Sequence, residues 1–505
     1  MTARRTTETT HALGLSLAIL AVGCTTAPPP VAAPQLDAAL PALWSARDDL
    51  GGAPGLTWWT DFGIPELNDT VQTALEQNYD LQAAAARLEQ ASADARIAAA
   101  DLLPALQVGL NGSKRKQNFI GFPIPGAEDR LLSTVSTNFG VSFDLTWEAD
   151  LWGRLRSNER AALADFQSRA ADLRGAQLSL AGQTVKAWFA VAEAEQQLQL
   201  ATATVDSFTA STDQVRQRFE QGLRPSLDVR LALSSLANAQ ALQAQRRQQL
   251  DAAVRQIEVI LGRYASGDLD GPTTLPDTPT AIPGGIPAEL VSRRPDLVAA
   301  ERRIAAAGQR VQVARAELYP RISLTSATGT SSGALSDLVN GDFGIWSLLG
   351  NVIQPLFQGG RIRAGIDRAE ARAAEELAVY ANTALLAFSE VETALAADSL
   401  LANRAGFLTT SAEQSRAAED IADDRYRAGL GDYITVLESQ RLALQAEGDL
   451  IAARRLRLEN RVDLYLALGG GFGQSESALS AEIAQSKSAP NGGTIQPVPA
   501  SSSQP

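Results

Sequence analysis

Arg218-Phe219-Glu220-Gln221-Gly222-Leu223 returns 207 positions later as Arg425-Tyr426-Arg427-Ala428-Gly429-Leu430, and the match runs ungapped to Leu261-Gly262 against Leu468-Gly469. A second correspondence, offset by 216, sets Asn78-Tyr79-Asp80-Leu81 against Arg294-Pro295-Asp296-Leu297 and runs on to Leu103-Pro104 and Tyr319-Pro320. Ala83, Arg87, Ala91 and Ala98 fall on Ala299, Arg303, Ala307 and Ala314 without a gap. Repeats of roughly two hundred residues are too long for a solenoid unit. They predict one fold made of two similar halves.

Between the two matching regions the hydrophobic period changes. In Thr137 to Glu148, Phe139, Val141, Phe143, Leu145 and Trp147 alternate with Asn138, Gly140, Ser142, Asp144 and Thr146. That is period two, a strand with one apolar and one polar face. Leu106, Val108 and Leu110 alternate in the same way, with a polar loop expected from about Ser113 to Ser136. The second half repeats the plan more weakly, with Ile322 and Leu324 after Pro320, then Trp346, Leu348 and Val352 before Pro355. Strands are therefore expected at about 105–113, 137–148, 321–329 and 344–353. A one-sided soluble sheet would read similarly, but aromatic ends and lengths of ~10 residues also suit transmembrane barrel strands.

Each second strand hands over to a long helix. No proline occurs between Pro125 and Pro225 or between Pro355 and Pro490. Arg154 to Arg218 and Arg361 to Arg425 would each extend ~100 Å at ~1.5 Å per residue, lengths that call for a coiled coil or bundle. Gly222 and Gly429 then turn the chain back along Leu227 to Gly262 and Ile434 to Gly469. Leu67 to Leu103 is predicted helical with a break near Asn78. Trp58-Trp59 and Phe62 form an aromatic knot that must pack against something.

Composition narrows the chemistry. The 505 residues hold one histidine (His11), one methionine (Met1) and one cysteine (Cys24). The net charge of -13 speaks against a nucleic-acid partner. Such an acidic excess fits a solvated surface or an acid-lined cation path. Arg4 and Arg5 precede an apolar segment, Ala12 to Val22, that is too short to span a bilayer. Leu20-Ala21-Val22-Gly23-Cys24 resembles a bacterial lipoprotein signal, in which the cysteine is lipidated and becomes the new N-terminus. An ordinary secretory signal with a stray cysteine is the alternative; a twin-arginine signal is set aside because polar residues follow Arg4-Arg5. Processing at Cys24 leaves a chain without His, Met or free thiol. That excludes histidine acid–base work, thiol nucleophiles, disulfides and most zinc or copper sites. No compact carboxylate constellation stands out, so a hydrolase is remote and no catalytic or metal-binding residue is nominated.

Four amphipathic strands cannot close a barrel, and open edges are not tolerated in lipid. If they span a membrane, several chains must share one barrel. Eight strands from two chains would be filled by their own side chains, whereas twelve from three leave a lumen.

These residues resemble the outer-membrane efflux protein (TolC) family, closest to its OprM/NodT-like lipoprotein branch. The resemblance rests on the Cys24 signal, Trp58-Trp59 with Phe62, Asp80-Leu81, Asp296-Leu297 and Leu318-Tyr319-Pro320. Trp147-Glu148-Ala149-Asp150-Leu151-Trp152-Gly153-Arg154 and Pro355-Leu356-Phe357-Gln358-Gly359-Gly360-Arg361 add to it, as do the Arg425 to Leu430 motif and Leu466-Ala467-Leu468-Gly469-Gly470.

The resemblance implies a mainly α chain with a membrane β-barrel: a homotrimer whose twelve-stranded barrel, four strands per chain, continues into a long α-helical periplasmic tunnel. The implied function is a passive outer-membrane channel of a tripartite pump in a Gram-negative bacterium. Its partners would be a periplasmic adaptor (membrane fusion) protein, an inner-membrane transporter of RND type, and outer-membrane lipid. Expected segments are 1–23 signal peptide, 24–66 tether and equatorial segment, 67–280 and 287–470 the two repeats, and 471–505 a disordered tail. No cofactor is implied beyond triacylation of Cys24.

The same resemblance assigns Gly222, Leu223, Gly429 and Leu430 to adaptor-docking tips, where each glycine could equally do no more than relieve a tight turn. It assigns Ile434, Glu438 and Arg441 to a gate that closes the resting tunnel, although the family usually has Asp at the position of Glu438. The plainer reading of Glu438 and Arg441 is a surface pair at i, i+3. Phe139, Val141, Phe143, Leu145, Trp147, Trp346 and Leu348 are expected to face lipid. A lipid-anchored periplasmic coiled-coil scaffold without a channel is the competing reading. The exported substrate cannot be read from the chain.

Overall fold

The computed structural model describes residues 44–46, 54–55, 57–119, 132–279 and 287–470. The expectations for the signal, Cys24, most of the tether and the tail after Gly470 lie outside the described residues. Helix α1 spans Pro65–Gln77 and α2 spans Tyr79–Ala100. Strands β1, Ala105–Phe119, and β2, Leu132–Glu148, lead into α3, Arg154–Glu220, and α4, Ser226–Ile260. A short helix α5, Pro287–Arg293, then opens the second copy. It continues with α6, Pro295–Ala316, strands β3, Arg321–Ser332, and β4, Gly344–Ile353, then α7, Arg361–Arg427, and α8, Tyr433–Ala467. The duplication is kept in length: α3 and α7 have 67 residues each, α4 and α8 have 35.

The described residues group into two compact units. The first holds Arg87–Arg169 and Ala300–Asn382; the second holds Ala170–Ala299 and the described parts of Leu40–Ala86 and Thr383–Pro505. The first unit contains a four-stranded antiparallel sheet in the order β1-β2-β3-β4. The fifteen paired positions from Ala105↔Thr146 to Phe119↔Leu132 carry the β1–β2 hairpin well past the expected strand ends. Lys114 to Asn118 and Ser133 to Ser136 are thus ladder residues where a loop was expected from Ser113 to Ser136; the rest of that expectation, 120–131, lies outside the described residues. The polarity of the ladder residues had suggested a loop, but an antiparallel ladder is held by backbone hydrogen bonds and tolerates polar side chains on both faces where neither packs. The rim that leads into the helices is held by polar contacts. Trp152 stacks on Tyr319 at 4.9 Å and its Nε1 donates to the Pro320 carbonyl. The Arg154 guanidinium pairs with Glu148 at 2.8 Å.

The second unit has its core around the aromatic knot. Trp58, Trp59 and Phe62 form a 3-10 turn and are buried with Phe189, Leu67, Val71 and Tyr465. Trp58 stacks on Tyr465 at 4.9 Å, and the Tyr465 hydroxyl donates to Asp61 at 2.6 Å. Burial, reinforced by that bond to a carboxylate, pushes the Tyr465 hydroxyl far above its usual range.

The break at Asn78 has a specific cause. Its backbone is extended, its Oδ1 accepts from the Leu81 N–H at 3.1 Å, and its Nδ2 donates to the Ile260 carbonyl at the end of α4. In the second copy Arg294 stands at the matching position, and its guanidinium donates to the Ala467 carbonyl at the end of α8. Different side chains thus satisfy the same orphan helix-end carbonyl. Among the described residues no helix is long and apolar enough to cross a membrane.

Candidate functional site

Both long helices end in the same turn. The Gly222 N–H donates to the Phe219 carbonyl and the Leu223 N–H to Arg218; in the second copy Gly429 and Leu430 donate to Tyr426 and Arg425. This is the Schellman arrangement, which requires a left-handed residue just past the helix. Gly222 and Gly429 supply it, with φ of 76° and 78°. The leucines that follow are held out to solvent, Leu223 at 67% and Leu430 at 73% exposure. Each turn thus displays an apolar side chain at the end of a hairpin, on a backbone held by two hydrogen bonds.

The two turns have the same backbone and unlike surroundings. The Arg218 guanidinium donates to the Tyr426 and Arg427 carbonyls, each at 2.9 Å, tying the end of α3 to the end of α7. Arg218 and Arg224 both sit over the Tyr426 ring, 5.1 and 4.7 Å from its centroid. Tyr426 is buried with Tyr433, Val436, Val215 and Ala422, whereas its counterpart Phe219 is exposed. Asp228 lies beside this cluster. Burial raises its carboxyl above the ordinary range, with Arg224 opposing and Asp432 adding to the shift. Arg218 is prominent in the repeat motif, yet its partners lie more than 200 residues away and no local pattern reveals them.

Ile434, Glu438 and Arg441 lie within the first turns of α8. The Glu438 carboxylate accepts two hydrogen bonds from the Arg441 guanidinium, at 2.6 and 3.1 Å. Those bonds hold the Glu438 carboxyl below its ordinary value. Ile434, Glu438 and Arg441 are exposed in the single chain. Their chemistry is an apolar side chain next to a carboxylate–guanidinium fork on one helix.

The sheet settles which strand residues share a face. Directly paired antiparallel residues point to the same side. Phe143 pairs with Thr328, which pairs with Trp346; Leu145 pairs with Ser326, which pairs with Leu348. Phe139, Val141 and Trp147 follow at the two-residue period. All seven nominated residues therefore lie on one face of one sheet. The other face carries Asn111, Asn138, Ser142 and Asp144, with the Ser142 hydroxyl donating to Asp144 at 2.7 Å. The strands β1 and β4 are its outer members and have no strand partner on their far sides among the described residues.

Sequence reasoning also missed a fully buried ion pair. The Arg461 guanidinium donates to Asp398 at 2.9 Å, with side-chain exposures of 1% and 5%. The two residues are 63 positions apart on different helices. Burial lowers the Arg461 pKa, and Asp398 opposes that shift. No cluster of three or more metal-ligating side chains occurs among the described residues.

The family model described as outer membrane efflux protein matches residues 70–263 and 286–470. The chain is 33% identical over 471 residues to the pyoverdine export outer membrane protein OpmQ of Pseudomonas putida KT2440, covering 91% of this chain and 97% of that protein. It is 33% identical to the outer membrane protein OprJ of Pseudomonas aeruginosa PAO1, covering 93% and 98%. The solved outer-membrane channel OprN superposes with a TM-score of 0.78 at 31% identity, covering 86% of this chain and 98% of that one.

Proposed function

Because the chain belongs to the outer membrane efflux protein family, we infer that it is the outer-membrane channel component of a tripartite export system, working with a periplasmic adaptor and an inner-membrane transporter. It is not an enzyme. Energy and the choice of cargo reside in the transporter, and the channel supplies a passive exit. The observation that carries this reading is the four-stranded sheet, with one apolar face and open outer strands β1 and β4. Three copies joined edge to edge give the twelve-stranded barrel of the family. Every backbone donor and acceptor in lipid is then paired, and a lumen remains. Family membership sets aside the scaffold without a channel.

Finer assignments rest on chemistry. Phe139, Val141, Phe143, Leu145, Trp147, Trp346 and Leu348 face lipid, which leaves Asn111, Asn138 and Asp144 to water in the lumen. Leu223 and Leu430, presented by the turns at Gly222 and Gly429, dock the adaptor; their exposure on fixed backbones supports that role. Ile434, Glu438 and Arg441 narrow the resting tunnel, and the short fork between Glu438 and Arg441 limits their mobility. Cys24 carries a covalent lipid; one acyl chain alone anchors marginally, so several are needed. The domain limits are 24–66, 67–280 and 287–470, followed by the tail 471–505.

The test is the mass of the mature protein in detergent, corrected for bound detergent, followed by conductance in a planar bilayer. A trimer with a discrete unitary conductance is expected. A monomer, or a trimer that conducts nothing under any applied voltage, refutes the channel.

A further inference from the structure

The chain has 44 basic residues, and only four of them are lysines: Lys114, Lys116, Lys186 and Lys487. Two of the four stand two residues apart on β1. The register places them together. Lys114 pairs with Thr137 and Lys116 with Val135, continuing the face that carries Phe139 opposite Gly112 and Phe143 opposite Val108. Along all four strands they are the only charged side chains on that face; Arg115, Asp144, Glu148 and Arg321 fall on the other. Both lysines are exposed.

Charges at the two ends of the sheet are handled differently. At the end leading into the helices Glu148 pairs with Arg154, Asp150 with Arg156 and Glu317 with Arg321. At the hairpin end neither Lys114 nor Lys116 has a carboxylate partner among the described residues.

Their height follows from strand geometry. The apolar band on β2 runs from Trp147 to Phe139, eight residues or ~27 Å at ~3.4 Å each. With the ~40° tilt of barrel strands this gives ~21 Å of height, close to the ~25 Å apolar belt of such barrels. Lys114 is the first position on that face beyond Phe139, and Lys116 is the next. Both ammonium groups thus reach the boundary between hydrocarbon and headgroup on the hairpin side, which in the channel reading is the outer leaflet. A lysine stem lies along apolar surface while its compact ammonium seeks polar ligands at such a boundary.

We propose that Lys114 and Lys116 form a docking site, three per trimer, for the phosphate-bearing headgroup of an outer-leaflet glycolipid. The inference rests on the channel reading. Charge complementarity selects the occupant: two cations without a carboxylate partner among the described residues meet anionic phosphates at a fixed depth, while the lipid's acyl chains cover the adjoining apolar band. Lysines on an outer strand can also discourage unwanted edge pairing, and that role would be indifferent to lipid phosphate.

The experiment uses the full-length mature trimer in detergent, its trimeric mass established first, and titrates it with bisphosphorylated lipid A. Bound lipid A per trimer and the thermal dissociation of the trimer are read together. Wild type should bind lipid A and dissociate at a higher temperature, with no shift from dephosphorylated lipid A or from inorganic phosphate. Replacing both lysines (Lys114→Gln with Lys116→Gln) should weaken lipid A binding about thirtyfold. Arginines at both positions should preserve binding, and Arg115→Gln, on the opposite face, should leave it unchanged. Equal binding of dephosphorylated lipid A, full binding by the double glutamine variant, or loss on Arg115→Gln overturns the proposal. The wild-type comparison stands even if the glutamine variant fails to assemble. A chain that is not a trimer refutes the channel reading, whereas a trimer indifferent to lipid phosphate refutes only this site.

Discussion

Replacing Asp398 with alanine should be among the costliest single changes in the helical part of the chain. Two of its carboxylate–guanidinium pairs have similar length and opposite surroundings. Glu438 and Arg441 meet at 2.6 Å with side-chain exposures of 58% and 60%, while Asp398 and Arg461 meet at 2.9 Å with exposures of 5% and 1%. Water and salt screen the first pair, so it contributes little to stability. Neither screens the second. Asp398→Ala leaves a guanidinium in the interior without its carboxylate, a loss of about 3–5 kcal/mol. The pair as a whole is worth much less, because both ions were desolvated to form it. Asp398→Leu combined with Arg461→Met should therefore fall within ~1–2 kcal/mol of wild type, on either side. Urea unfolding followed by helical ellipticity, at one fixed protein concentration, gives both numbers from the midpoints and a common slope. If Asp398→Ala unfolds within ~1 kcal/mol of wild type, the pair is effectively solvated and the argument from burial is wrong.

Four further outcomes are expected. Leu223→Asp or Leu430→Asp should weaken adaptor binding, measured by surface-immobilised adaptor, without changing the melting temperature, since both side chains are exposed; unchanged binding by the double variant would remove the docking role. Gly222→Ala should cost about 1–2 kcal/mol from the left-handed backbone alone. Gly262→Ala should cost more, because its new methyl would lie 2.6 Å from the Gln77 carbonyl oxygen; equal urea midpoints would contradict this. Glu438→Ala or Arg441→Ala should raise resting single-channel conductance, and unchanged conductance with intact trimers would sink the gate assignment. Acid should mimic those variants. Arg441 holds the Glu438 carboxyl below its ordinary 4.5, so the pairing is complete above that value and is lost as pH falls through the lower, folded value.

Legibility differed from element to element. The alternation from Phe139 to Trp147 announced a strand because one face is apolar throughout, and the register bears this out. Beyond Gly112 the pattern dissolves into Ser113-Lys114-Arg115-Lys116, and there only the backbone ladder maintains the strand. Gly222 and Gly429 were readable because a left-handed turn demands glycine. The tie from Arg218 to the Tyr426 and Arg427 carbonyls was not, since an arginine in a helix resembles any solvated arginine until its distant acceptor is known. Asn78 and Arg294 perform one task with unlike side chains, so the repeat alignment could show that the positions correspond but not why. Asp398 and Arg461 each sit in helices rich in charge, and only packing separates them from their exposed neighbours. Of the residues proposed as a gate, sequence foresaw the contact between Glu438 and Arg441; what faces them in an assembled tunnel depends on other copies of the chain.

The equal helices have a consequence for how such a chain can change. With 67 residues in both α3 and α7 and 35 in both α4 and α8, the copies have diverged in residue identity without losing phase. A single inserted residue in α7 would advance everything after it by ~1.5 Å and rotate it by ~100°. The turn at Gly429 would then point away from the direction its sister still keeps. The only change in repeat offset, from 216 to 207, falls between Pro104 and Arg154, where the chain runs through the sheet and its hairpin. Descendants of the duplication are thus freer to vary their side chains than their length, which can change almost nowhere except toward the hairpin ends, like two gears that can be recut in another metal provided the tooth count is kept.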